Sequence, residues 1–129
     1  MTALALVPED KSEWLRCRPW IENALVYTRG THNIEDVEAG IERGKYQFFS
    51  SANCAVVVQI IDYPRMKVMN YFLAGGDMNE LKNTMHPAVK LWAKRQGCKR
   101  IGIIGRPGWL KALFSIGFRY GWTMVFEDL

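Results

Sequence analysis

Few side chains in this chain are placed to do chemistry, and each has an ordinary structural role open to it as well. His86 precedes Pro87 at the start of an apolar-periodic segment, where an imidazole serves either as a general base or as a helix cap. His32 stands in a polar connection with less around it. Cys54 heads the run Ala55–Ile61 (AVVVQII). A thiol there is a nucleophile or a small buried hydrophobe, and the lack of a histidine or acid nearby in sequence favours burial. Asp62 and Tyr71, on neighbouring β-prone stretches, are able to give or take a proton, or simply to face water as polar strand residues. Arg106 beside Gly105 suits a phosphate or carboxylate ligand, and equally solvent or an ion pair with Glu127 or Asp128.

The composition narrows these options. The chain has 129 residues, of which 49% are hydrophobic, enough for one domain with a real core and too few for two. Cys17, Cys54 and Cys98 are odd in number, far apart and without a C-x-x-C pair, which argues against a disulfide framework and against a metal site. The net charge of +4 would favour an anionic ligand but is ordinary for a globular domain. Lys94, Arg95, Lys99 and Arg100 cluster with only Trp92 among them, a poor match to a nucleic-acid face. Apolar runs fall short of the roughly 18–20 residues a membrane span needs. The start MTALALVPEDK lacks the basic and long apolar parts of a secretory signal, so a cytoplasmic location is expected.

Positioning falls to a series of short elements. Ala3–Val7 reads as a first strand, Asp10 or Ser12 opens a helix to Arg18, and Pro19 starts a second through Thr28 with Trp20, Ala24 and Tyr27 on one face. Asn33 caps a third helix with stripe Ile34, Val37, Ile41, closed by Gly44. Tyr46–Ser50, Cys54–Asp62 and Lys67–Ala74 read as consecutive antiparallel strands with short turns. Gly75-Gly76-Asp77 interrupts, a polar stretch runs to Thr84, and Pro87–Gln96 forms a helix turning Val89, Leu91, Trp92 and Ala93 inward before Gly97. Arg100–Ile104 is a strand, Arg106–Phe118 contains a short helix closed by Gly117, and Arg119–Phe126 is a last strand. The five tryptophans are expected to pack helices on the sheet, with Trp109 or Trp122 also suited to a partner chain.

This order, with Lys94–Ile101 (KRQGCKRI) and Ser115–Phe118 (SIGF), resembles the GCN5-related N-acetyltransferase (GNAT) superfamily from Tyr46 to Leu129. The resemblance implies a single domain over 1–129: an α/β (α+β) three-layer sandwich, with a central mixed, mostly antiparallel sheet flanked by helices. It implies acetyl-CoA or another acyl-CoA as cosubstrate of an N-acyltransferase, with no metal. Leu73, Ala74, Gly75, Gly76, Arg106 and Trp109 would face the CoA, and Asp62 or Tyr71 would manage protons. In such enzymes the turn R/Q-x-x-G-x-G/A holds the pyrophosphate on backbone amides. An ungapped count from Gly97 puts Asp77, Glu80 and Lys82 at those positions, while a gapped register puts Gly75-Gly76 there. The tyrosine that protonates the departing thiolate corresponds to Leu113, which has no proton to give. These departures, with DYPR at 62–65 and LAGGD at 73–77, also resemble small GNAT-like proteins of phages and prophages. The alternative is therefore an inactive binding or assembly protein, with a protein partner or a homodimer through the aromatic last strand. Read as a polar loop, the turn should accept Asp77→Arg with Glu80→Gly and gain CoA affinity without unfolding.

Overall fold

The computed structural model describes residues 11–104, 107–121 and 125–129, with 107–110 described by backbone alone. The expected strand at Ala3–Val7 lies outside the described residues. Helix α1 (Lys11–Ala24) buries Trp14, Cys17 and Ile21, and the following 3-10 turn (Leu25–Thr28) continues that stripe with Leu25. The helix runs through Pro19 instead of restarting there. Pro19 and Leu15 are both exposed, so the carbonyl that loses its partner turns to water. Helix α2 (Ile34–Glu42) opens with a reciprocal cap in which the Asn33 side chain accepts from the Asp36 amide at 2.9 Å and Asp36 accepts from the Asn33 amide at 3.0 Å. Gly44 ends it with a left-handed φ of 80°.

Strands β1 (Gln47–Ser50), β2 (Cys54–Asp62), β3 (Lys67–Gly76) and β4 (Cys98–Ile103) form one sheet in that spatial order. The first three pair antiparallel and β3 pairs β4 in parallel. Alternation along β2 divides the core: Ala55 and Val57 join Phe48 and Leu73 beneath α1 and α2, while Val56 and Val58 join Met69 and Tyr71 on the other face. The result is the expected mixed sheet between helical layers.

Three local expectations are corrected. Met78–Arg95 is helical throughout, as α3 (Met78–Glu80), a π-type stretch (Leu81–Met85) and α4 (His86–Arg95), so no polar loop reaches Thr84. Leu81 and Met85 are buried and hold this run on the sheet, whereas Leu91, expected inside, is 49% exposed. After α5 (Pro107–Phe114) the described parts of the expected last strand, 119–121 and 125–126, carry no strand pairing. Trp122–Met124 lie outside the described residues.

Candidate functional site

The site originates in a mismatch of strand lengths. Strand β3 pairs with β2 along its whole length but with β4 only from Lys67 to Tyr71. Two residues of β3 advance for one of β2 at Val57/Val58, which leaves Phe72 as a bulge where pairing to β4 stops. Among the described residues Phe72–Gly76 therefore presents an edge with no strand beside it on the β4 side, and the sheet forks. A cleft of about 320 Å³ fills the fork. Its floor is Tyr71–Gly76, one wall is Trp20, Asn23, Ala24 and Tyr27, and the other side carries Met78, Leu81, Ile103 and Ile104. Trp20, Ala24 and Tyr27 do share a face, as expected, but that face lines the cleft while Trp14, Cys17, Ile21 and Leu25 make the core.

Gly75 allows the wall to stand this close, because a Cβ there would lie 2.7 Å from the Trp20 carbonyl oxygen. Gly76, at φ 102°, lies against the Asn53 and Cys54 backbone. Both glycines thus have a packing role within the chain, whatever they offer a ligand.

The turn into α3 is occupied by the protein's own carboxylates. Asp77 Oδ2 accepts the Glu80 amide at 2.9 Å as the helix N-cap. The Asp77 amide donates to the Asn53 carbonyl at 2.8 Å. Glu80 reaches back to the β1–β2 hairpin, where it accepts the Ser51 hydroxyl, the Asn53 amide at 2.6 Å and Asn53 Nδ2 at 3.1 Å. These donors, the Ser51 hydroxyl foremost, lower its pKa to about 2. The expectation that Asp77 and Glu80 are dispensable loop residues is overturned: they clamp the hairpin to the helix start.

Behind the cleft lies an apolar chamber of about 20 Å³ whose lining includes Tyr71, His86, Ile103, Leu113 and Phe118. Tyr71 Oη lies 2.8 Å from His86 Nδ1, and the His86 ring packs on Phe118 at 5.2 Å. Burial pushes the Tyr71 phenol well above its ordinary range, with a lesser push from Cys54. Burial lowers His86, with Lys90 adding to the effect. His86 is the first residue of α4, but the π-type stretch before it is already helical, so it continues the run with φ −58° and is no N-cap.

The other sequence candidates are scattered. Leu73, Ala74, Gly75 and Gly76 line the cleft with Tyr71. Asp62 pairs with Lys67 at the opposite end of the sheet, exposed beside the β2–β3 turn, and is left out of the cleft. Arg106 and the Trp109 side chain lie outside what is described. Cys54 is fully buried and its thiol is raised to about 11, chiefly by burial, which suits packing and not attack. Sequence reading missed Asn23 in the wall and the pairing of His86 with Tyr71. Residues 15 apart on different elements leave no spacing signal to find.

No family profile and no curated protein matches the sequence. Solved structures do match in fold. A probable acetyltransferase is 11% identical with TM-score 0.70, covering 95% of this chain and 97% of its own. A GNAT family acetyltransferase of Staphylococcus aureus is 12% identical with TM-score 0.64, covering both chains fully. An aminoglycoside acetyltransferase from an uncultured soil metagenomic sample, solved with sisomicin, is 9% identical with TM-score 0.66, covering 93% of this chain and 90% of its own. The chain has the fold of the GNAT acetyltransferases.

Proposed function

We propose that this chain is an acyl-CoA-dependent N-acyltransferase in which the fork between β3 and β4 receives the acyl-pantetheine arm. The observation that carries the reading is the edge Phe72–Gly76, an array of peptide groups that meets no strand partner on the cleft side among the described residues. Such an edge pairs with an extended amide-bearing chain as it would with a strand. The cleft's 320 Å³ lies within the range of small-molecule pockets, about 300–1,000 Å³. Trp20 and Tyr27 supply apolar and aromatic wall for the arm.

One observation favours a second reading, a binding protein that keeps the fold without the transfer. Asp77 and Glu80 stand at the helix start where a pyrophosphate would look for amides. Calorimetry and thermal shift with acetyl-CoA test the first reading, with dephospho-CoA and S-acetylpantetheine as truncated probes. Heat and a raised Tm with acetyl-CoA, largely retained by S-acetylpantetheine, are expected. No heat and no shift at millimolar acetyl-CoA would overturn the reading.

A further inference from the structure

We infer that Tyr71 and His86 form a proton shuttle at the floor of the cleft, His86 serving as the reservoir and Tyr71 as the group that touches the reacting atoms. The inference rests on the acyl-transfer reading above and adds to it the residues that move the proton. Tyr71 lines both the cleft and the smaller apolar pocket behind it, and its hydroxyl meets His86 Nδ1 at 2.8 Å. Phe118, Ile103 and Leu113 line that pocket, where Lys82 is the other polar lining residue.

Transfer of an acyl group from a thioester to a neutral amine forms a C–N bond and breaks the C–S bond, and one N–H proton must end on sulfur. With His86 neutral and protonated on Nε2, the Tyr71 hydroxyl donates to Nδ1 and keeps its oxygen lone pairs free to accept. Tyr71 Oη takes the amine proton as its own passes to Nδ1, giving an imidazolium. The reverse movement returns a proton through Tyr71 to the departing thiolate, so the amine's proton ends on the CoA thiol and the pair is restored. Burial keeps both groups neutral at the start, holding the phenol up and the imidazole down. The charged or titratable groups facing the pair are Lys90 on α4, Lys82 on the π-type stretch and Cys54 on β2. Burial and Lys90 disfavour a resting imidazolium and leave it a transient species.

The chain has two histidines, so His32 serves as an internal control. In histidine-labelled protein, acetyl-CoA should move the His86 ring signals and leave those of His32 in place. H86Q retains an acceptor for Tyr71 but cannot hold the proton. It should bind acetyl-CoA within about twofold of wild type yet release CoA thiol about a hundredfold more slowly. The acceptors would be spermidine, glucosamine and a lysine peptide, and Y71F should lower kcat similarly with KM for acetyl-CoA unchanged. The wild-type rate should fall on the acid side as His86 protonates, and that limb should be missing in H86Q. Thiol release by H86Q at the wild-type rate overturns the shuttle while the acyl-CoA reading stands. Acetyl-CoA binding with no thiol release by wild type also overturns it and leaves a binding protein. Absence of binding removes the acyl-CoA reading and the shuttle with it.

Discussion

Toward β2, residues Leu73–Gly76 are paired to Cys54–Val57, and the chain beyond them is tied down by Asn53, Asp77 and Glu80. Toward β4 the same residues meet no strand among the described residues and look across at Trp20 and Asn23. One stretch of backbone is thus closed on one side and open on the other, and the two conditions depend on each other. An unpaired strand edge holds a defined shape only if its other edge and its end are anchored. The clamp supplies that anchor by tying the start of α3 to the β1–β2 hairpin.

Gly76→Ala tests the closed side most severely. It forces a Cβ onto the Asn53 backbone at a φ of 102°, and should cost about 3 kcal/mol of stability, measured by urea unfolding. Loss of acetyl-CoA binding by whatever fraction stays folded would show that the clamp shapes the open side. Unchanged stability would break the link between the two.

The next effect is a pH dependence. The Glu80 pKa in the folded chain is about 2, below its ordinary 4.5, so the charged form is the one the fold favours. Its stabilisation is complete above pH 4.5 and disappears as pH falls towards 2. Glu80→Gln should therefore melt below wild type at pH 7, and the gap should close between pH 4.5 and 2.5. Glu13, also lowered to about 2 chiefly by its Arg16 hydrogen bonds, is common to both proteins and cancels in the difference. A gap that stays constant with pH would mean that the clamp works through geometry alone.

The smallest effect is expected far from the fork. Asp62→Asn, at the exposed end of β2, should change stability by less than about 0.5 kcal/mol and leave acetyl-CoA affinity unaltered. A loss of affinity would place the ligand across both ends of β3 and dissolve the contrast.

Local signals in the sequence were sufficient where one element decides its own conformation. Asn33 with Asp36, Gly44 and Gly97 at helix ends, and the strand Cys54–Asp62 are all legible as written, because caps, left-handed glycines and β-branched runs act within a few residues. The alternation of Val56 and Val58 against Ala55 and Val57 likewise assigns two faces before any partner is known. Strand partners across short turns were legible too, but partners between distant elements were not. The stripe of Trp20, Ala24 and Tyr27 satisfies helical spacing as well as the true core stripe does, and only the neighbouring strand shows which face is buried. Asp77 and Glu80 read as loop acids until the hairpin at Ser51–Asn53 folds back over them. The sequence by itself therefore determined α2, β1 to β3, α4 and β4, their order and the layered sheet they build, but not the helical run at Met78–Met85 or the stretch after α5, unpaired in its described residues. Tertiary structure alone decided the fork, the clamp and the Tyr71–His86 contact, because each depends on where strand pairing stops and on residues that meet only after the chain has packed.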